Sequence, residues 1–505
     1  MLDIFSPMNT ESIKVKYDIV PYTSGRTLEL GCGPWKAYPH FIGIDLREDW
    51  PPHIPWLPDI VMDCNYLGMF QGLSVDSVFS SYLLQFMDDP LKALKEWWRV
   101  IAHNGYLVLY LPHSDYYPDP GIKYTKIDQD MIIELMKQVG GWDLLVNEER
   151  ILDSEYSFLQ VYRKYSDKTH RFTCNKPEPE KTCAIVRYGG AGDMIQASSI
   201  LPELKSDGYH ITLYTNGYGY EPIKHDPHID EIIVQSKEQV PNHELGAFWA
   251  VIRKKYDKFI NLSESVETTL LCDPHRPMHK WPTKARDMVL HDHNYLEITH
   301  AIAEVPFRIH AKFYATPNEV KWAKRQRTGF DRVILWVLSG SGVHKCWPYM
   351  DQIIARVLTT YTDSRIFFCG DELSQMLESG WEDEKRVIKT CGQWNIRQSM
   401  AFAEQCDLVI GPETGVMNAV SMLDMPKIIF LSHSSIKNLT RDWKNTTSLI
   451  PKDCACYPCH KMIHGWEHCE RDHETGVSVC QSKIGVETVW EAIKTGLFVG
   501  RRRAA

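Results

Sequence analysis

Residues 27–35 read Thr-Leu-Glu-Leu-Gly-Cys-Gly-Pro-Trp, and residues 185–193 read Ile-Val-Arg-Tyr-Gly-Gly-Ala-Gly-Asp. Each is a short apolar run entering a glycine-rich turn. Glycine lets a backbone approach a bound group closely, and a helix starting after the turn aims its N–H groups at that group. Each turn is followed by its own series of strands, which predicts a fusion of two α/β units.

Outward from the first turn, Thr27–Leu30 is a strand and Phe41–Leu46 a second one carrying an acid, Asp45, near its end. Strand, glycine turn, strand, acid is the order of a nucleoside-binding doubly wound sheet, where the acid holds ribose hydroxyls. Ile60–Met62 predicts a third strand that places Asp63 where a carboxylate could meet an adenine edge, and Ser77–Ser81 a fourth. Asp89 and Pro90 mark a helix start, with Leu91, Leu94, Trp98 and Ile101 on one face. Gly105 is read as its stop, before the continuous apolar strand Tyr106–Leu111. Leu144–Asn147 and Ser157–Arg163 close this sheet. Residues 166–181, with alternating Pro and charge at 176–181, read as a semi-rigid linker.

The stretches LELGCGPW, FIGIDL and SVDSVFSSYLLQFMDDPLKALKEWWRVIAHNGYLVLYLPH, together with Asp63, resemble class I S-adenosylmethionine-dependent methyltransferases, in particular the type 11 group. The resemblance implies that Glu29, Gly31 and Gly33 line the cofactor, that Asp45 takes the ribose, and that Asp63 approaches the adenine. Trp35 stands where many members have a small residue. Tyr82, Gln85 and Phe86 stand where many have His, Glu and His.

Beyond the linker, strands are predicted at Cys183–Tyr188, His210–Thr215, Ile232–Val234 and Phe259–Leu262. A second α/β series follows at Val333–Leu338, Arg365–Cys369, Asp407–Ile410 and Lys427–Leu431. Two successive open α/β domains predict a cleft between them. Thr414 and Gly415 open a helix and offer backbone donors. The stretches IVRYGGAGDMIQASSILPEL, VILWVLSGSGVHKCWPYMDQII, RIFFCGDE and CGQWNIRQSMAFAEQCDLVIGPETGVMNAVSMLDMPKIIFL resemble glycosyltransferase family 9, the heptosyltransferase group, with its GT-B architecture of two facing Rossmann-like domains. The resemblance implies inverting transfer of a sugar, heptose or hexose, from a nucleotide sugar such as ADP-heptose to an acceptor hydroxyl. It makes Asp193, after Gly192, the base that takes the hydroxyl proton; the alternative for Asp193 is a helix cap. It makes Lys345 the diphosphate-binding lysine, with Ser339, Ser341, Thr414 and Gly415 around the same phosphates. Glu413 replaces a more usual Asp that meets sugar hydroxyls, and Asn418 a frequent His.

Of fourteen cysteines, five crowd into residues 454–480. Cys456 and Cys459 have the spacing of a chelating pair, which Cys469 and Cys480 can complete as a tetrahedral set, with Cys454 as a substitute and His460, His464, His468 and His473 nearby. The segment is similar to the cysteine finger of autotransporter heptosyltransferases, which implies structural iron; zinc suits four thiolates equally. Val486–Leu497 predicts a final helix. His275, His279, His291, His293 and His300, with Arg276 and Arg286, form a polar stretch that could face an acceptor.

The 505 residues, 44% apolar, suffice for about three domains. The expected organisation is α/β throughout: a Rossmann-like methyltransferase domain at 1–165, a linker at 166–181, an acceptor-side domain at 182–318, and a nucleotide-sugar domain at 319–505 containing the small metal-binding cysteine segment 454–480. A net charge of −9 without a long basic stripe argues against a general nucleic-acid partner. The first twenty residues lack a secretory pattern and no stretch has the apolar length of a membrane span, so a cytoplasmic enzyme is expected. Its expected work is consecutive: sugar transfer to a surface glycan, then methylation of that glycan or a related substrate. The alternatives are a protein O-glycosyltransferase or a DNA-base glycosyltransferase, each with a non-catalytic methyltransferase-like domain.

Overall fold

Thr27–Leu30 forms β1, the pivot of the first of three sheets, in a computed structural model that describes residues 11–46, 58–116, 124–150, 153, 156–236, 238–263, 280–282, 284–285, 293–461 and 465–504. β2 (Ile42–Asp45), β3 (Ile60–Val61), β4 (Val75–Ser81), β5 (Ile101–Pro112), β6 (Trp142–Arg150), β7 (Ser157–Lys164) and β8 (His170–Phe172) complete an eight-stranded sheet in the order β3-β2-β1-β4-β5-β7-β6-β8. β1 lies parallel between β2 and β4, with Leu30 opposite Ile44 on one side and Ser80 on the other. The order reverses at β1, so its glycine turn sits at the topological switch point, where open α/β sheets bind ligands.

The helix Pro90–Val100 starts as its signals predict: the Asp89 carboxylate accepts the Lys92 N–H at 3.0 Å, and Pro90 follows. It buries Ala93, Leu94, Trp97, Trp98 and Val100, and the Trp97 indole N–H finds the Cys64 carbonyl at 2.8 Å. Aromatic burial of this kind contributes about 1.5–3 kcal/mol per side chain. The helix ends at Val100 rather than at Gly105, which lies inside β5. A Cβ at 105 would stand 2.4 Å from the Asp76 carbonyl, so the glycine permits a close strand approach and does not cap the helix.

The stretch 166–181 begins within this sheet. β8 pairs in parallel with β6, the His170 ring stacks on Trp142 at 4.6 Å, and the Thr173 hydroxyl donates to Asp143 at 2.9 Å. Two compact units divide the chain: Met1–Glu180 with Val234–Lys255, and Lys181–Ile233 with Tyr256–Ala505. Within the first unit, Lys16 pairs with Glu244 at 2.6 Å, and the buried Gln239 amide donates to the Val20 carbonyl at 2.7 Å. Asp18 is shared by Arg150 and Lys255.

The second unit holds two parallel sheets. The strands β9 (Thr182–Val186), β10 (His210–Asn216), β11 (Glu231–Gln235) and β12 (Lys258–Asn261) run in the order β11-β10-β9-β12. The strands β13 (Arg332–Val337), β14 (Ser364–Cys369), β15 (Val387–Lys389), β16 (Leu408–Pro412), β17 (Lys427–Phe430) and β18 (Thr446–Leu449) run in the order β15-β14-β13-β16-β17-β18. β13 is buried at every position, as strands covered on both faces must be. One core joins Ile185 and Ile195 to Val337, Val416 and Ile429; another seats Val489, Ile493 and Leu497 of the final helix, Val486–Ala504, on the other face of the six-stranded sheet. The expected α/β fold class therefore holds for all three sheets. Among the described residues, no helix is long and apolar enough to cross a membrane. His275, Arg276, His279, Arg286, His291 and His464 lie outside the described residues.

Candidate functional sites

The first site surrounds the turn after β1. Gly31 and Gly33 both adopt left-handed conformations, φ 68° and 56°, which other residues take only under strain. A Cβ on Gly31 would meet Leu83 at 3.0 Å, so the turn is also pressed against the segment that follows β4. Asp45, at the end of β2, accepts the Gly33 N–H at 2.9 Å and so ties the second strand's acid to the turn. Asp63 lies two residues beyond β3 and accepts both the backbone and the side-chain N–H of Asn65. Asp45 ends β2, and Asp63 follows the neighbouring strand β3. Glu29, in β1 before the turn, is 1% exposed and accepts the Ala37 N–H at 2.8 Å, which ties the chain beyond the turn to β1.

Burial pushes the Glu29 carboxyl up to about 8, against the opposing pull of the Ala37 N–H, the Ser12 hydroxyl and Lys36. Between its ordinary value of 4.5 and about 8, the unfolded chain has lost this proton while the folded chain keeps it. Stability of the first unit is therefore expected to fall as pH rises through that window, and to level off above it, by on the order of a few kcal/mol. Glu29→Gln should flatten this slope in urea unfolding followed at pH 5 and pH 8. An equal fall in both proteins would assign the titration to another group.

The second site lies in the second unit, where two glycine turns meet. The helix Ala191–Ala197 follows the first turn, and the helix Gly415–Ala419 follows the second, with Thr414 as its N-cap. A Cβ on Gly415 would strike the Ala191 Cβ at 2.6 Å, and one on Gly192 would lie 3.0 Å from the Asn418 amide nitrogen. The Gln196 amide donates to the Asn418 Oδ1 at 3.0 Å. These contacts bring Asp193 and Thr414 to one place although 221 positions separate them.

Asp193 has two partners. One carboxylate oxygen accepts the Gly190 N–H at 2.8 Å, and the other lies 3.1 Å from a guanidinium nitrogen of Arg187. Arg187 is itself buried, while Asp193 keeps 40% of its side chain exposed, so the carboxylate is held from behind and open in front. The cap and the base are thus compatible roles for Asp193.

Lys345 is half-buried in a short turn after β13. Burial pulls its ammonium below the usual lysine range, while the Glu413 and Asp193 carboxylates pull it back up. Gly340 makes room for it: a Cβ there would stand 2.7 Å from Lys345 Cδ and 3.0 Å from Thr414 Cγ2. The Thr414 hydroxyl is buried without a partner among the described residues, as expected of a donor that serves a bound group. The Ser339 hydroxyl lies 2.9 Å from that of Ser374, which in turn donates to Asp371. Ser341 is exposed.

Glu413 is 5% exposed, with both oxygens engaged by the loop after β17. It accepts the Ser432 N–H at 2.9 Å and the Ser434 hydroxyl at 3.3 Å, and lies 3.0 Å from His433 Nδ1. His344 Nε2 lies 3.0 Å from the same His433 nitrogen. Burial alone would raise the Glu413 carboxyl, but His433, Lys345 and the Ser432 N–H hold it at about 2. Sequence reasoning missed Arg187 and His433. Arg187 stands inside the glycine-turn stretch 185–193 but was given no role there, and His433 belongs to no local pattern; each is found by its distance to an acid.

The cysteine segment differs from expectation. Among the described residues, no three His, Cys, Asp or Glu side chains are arranged to hold a metal ion. The thiols take internal partners instead: Cys454 and Cys456 lie 3.5 Å apart, Cys480 is 3.5 Å from the Ser478 hydroxyl, and Cys469 points to the Glu470 carbonyl. Cys459 and Cys480 are buried while Cys456 is exposed. The predicted set Cys456, Cys459, Cys469 and Cys480 is not supported as an iron or zinc site by this arrangement.

A family model described as a methyltransferase domain matches residues 28–109, a span that contains the glycine turn, Asp45, Asp63 and the helix Pro90–Val100. Among solved structures, the chain is similar to a glycosyl transferase family 9 protein from Veillonella parvula, at 17% identity and a TM-score of 0.45, covering 64% of this chain and 98% of that one. It is also similar to the ADP-heptose lps heptosyltransferase II of E. coli, at 14% identity and a TM-score of 0.44, covering 64% and 99%. A third similar structure is an S-adenosylmethionine-dependent methyltransferase from Mesorhizobium loti, at 15% identity and a TM-score of 0.26, covering 31% and 99%. No curated protein matches the chain.

Proposed function

We propose that the protein is bifunctional: its second unit transfers a heptose or hexose from a nucleoside-diphosphate sugar to an acceptor hydroxyl of a surface glycan, and its first unit methylates that glycan or a close relative. The observation that carries this reading is the convergence of Asp193, Lys345 and the Thr414–Gly415 turn within one unit, together with the family 9 motifs on which they stand. The acceptor hydroxyl loses its proton to the Asp193 carboxylate as its oxygen attacks the anomeric carbon. The bond to the diphosphate breaks on the opposite face, and the leaving oxygens are met by Lys345 and by the N–H groups after Thr414. Arg187 orients Asp193, and Glu413 holds the 432–434 loop beside Lys345.

In the first unit, S-adenosylmethionine supplies an electrophilic methyl group when bound. Asp45 and Asp63 hold its nucleoside, and the left-handed Gly31 and Gly33 let the backbone approach it. The cytoplasm is the compartment that supplies both a nucleotide sugar and S-adenosylmethionine.

The test uses purified protein with a panel of nucleoside-diphosphate sugars, a cell-surface glycan extract and S-adenosylmethionine labelled in its methyl group. Acceptor-dependent release of nucleoside diphosphate, with label appearing in the glycan fraction, is the expected result. Release without label in any saccharide would remove the methylation half. No release with any donor would remove the transfer half.

A further inference from the structure

We infer that His433 is a positioning residue of the sugar-transfer site: its Nδ1–H, shared between Glu413 and His344, holds together the loops that carry Lys345 and Thr414. This role rests on the proposed sugar transfer by the second unit and deepens it.

Strand order puts the loops side by side. β13, β16 and β17 are consecutive neighbours in a parallel sheet, so the turns after them leave the same edge. The last paired residues are Trp336 with Ile410 and Pro412 with Phe430; past these pairs, side chains join the loops. Each loop brings one member of a polar cluster. His344 follows β13 and directly precedes Lys345. Glu413 follows β16 and directly precedes Thr414, the N-cap of the helix Gly415–Ala419. His433 lies in the loop after β17.

The cluster meets at one atom. His433 Nδ1 lies 3.0 Å from Glu413 Oε2 and 3.0 Å from His344 Nε2. Burial raises the Glu413 carboxyl, but His433 first, and then Lys345 and the Ser432 N–H, hold it at about 2, so it is ionised. An ionised carboxylate only accepts hydrogen bonds. The proton therefore sits on His433 Nδ1, and His344 Nε2 faces it as a second acceptor. A proton on His344 Nε2 instead would leave a carboxylate oxygen against a bare nitrogen at the same distance. One N–H shared by two acceptors is a three-centre bond, and its carboxylate arm is charge-assisted.

Burial gives this bond its weight. Glu413 is 5% exposed and His344 3%, so water is a poor substitute for a lost partner. The His433 carbonyl accepts the His460 N–H at 3.0 Å, which anchors its backbone while the ring reaches the other two loops. Val343–Lys345 is a single short turn. Fixing the His344 ring fixes that turn, and so aims the Lys345 ammonium, on which Glu413 and Asp193 also act.

Covalent geometry supplies the test. Asparagine carries its amide nitrogen one bond beyond Cγ, where histidine has Nδ1; glutamine carries it one bond further, where histidine has Nε2. Titration calorimetry of the full chain with ADP, UDP and GDP in turn reads the diphosphate site without turnover. For a nucleotide that binds, affinity should fall about tenfold or more in His433→Phe and His433→Gln, and stay within about threefold of wild type in His433→Asn. In a Lys345→Met background, His433→Phe should cost less than about twofold, because no ammonium is left to aim. Nitrogen NMR of histidine-labelled protein should show the ring signal that His433→Phe removes with its proton on Nδ1. The thermal midpoint checks folding; should His433→Phe unfold, the Asn and Gln variants still decide. Glutamine as good as asparagine, an equal loss in both Lys345 backgrounds, or a bare Nδ1 overturns the role. Nucleotide binding that ignores position 433 overturns the role alone, whereas folded wild type that binds none of the three overturns the donor reading and the role together.

Discussion

Asp193→Asn is expected to lower the rate of nucleoside-diphosphate release by about 10²–10⁴-fold, the usual contribution of a positioned general base. The amide fills the same space and can still accept the Gly190 N–H through its oxygen, so the start of the helix Ala191–Ala197 survives. What it lacks is a site for the acceptor proton. A residue that served only as a cap would behave differently: its loss costs about 0.5–2 kcal/mol of stability and leaves turnover of the folded enzyme near the wild-type rate. The comparison therefore needs two measurements on the same variant, the thermal midpoint and the release rate at saturating donor. A rate within a factor of three of wild type would remove Asp193 as the base. Arg187→Lys refines the result. It keeps a positive charge near Asp193 but gives up the planar guanidinium that fixes the carboxylate at 3.1 Å. It should lower kcat with little change in donor KM.

Lys345→Met should lower kcat/KM by about 10²–10³-fold, the magnitude found when a preorganised donor to developing negative charge is removed. The expected weight comes from its setting: Lys345 is half-buried, burial acts on its ammonium, and so do both Glu413 and Asp193. Methionine retains most of the apolar stem, which packs beside Gly340, so the change is chiefly one of charge. Inhibition by the free nucleoside diphosphate should weaken in parallel. A change within twofold in both quantities would make Lys345 a solvated surface lysine and would place the leaving-group contacts elsewhere.

The local punctuation of the chain was legible because backbone sterics act over a few residues. The left-handed Gly31 and Gly33, the Asp89–Pro90 helix start and the buried run of β13 are decided within their own windows. Gly105 shows where such reading ends. A glycine after an amphipathic stretch looks the same whether it caps a helix or admits a neighbouring strand, and here the decisive partner is the carbonyl of Asp76, 29 positions earlier. The stretch 166–181 is a second case: the Pro-rich pattern belongs to its later half, while His170–Phe172 is drawn into the sheet by pairing with β6 and stacking on Trp142. Short edge strands such as β15 and β18 carry too few apolar residues for their periodicity to stand out.

The sequence by itself determined the chemistry available: two glycine turns, the acids at the end of β2 and beyond β3, an aspartate after Gly192, a lysine after β13 and a crowd of thiols. Tertiary structure decided which of these meet. It set Arg187 behind Asp193, joined Glu413 to His433, brought Thr414 and Lys345 together beside Gly340, and tied the buried Glu29 to the Ala37 N–H. The reason is physical. Turn and cap preferences are written in a few consecutive dihedral angles, whereas a carboxylate's partner, burial and ionisation depend on side chains that only long-range packing brings within a few ångströms.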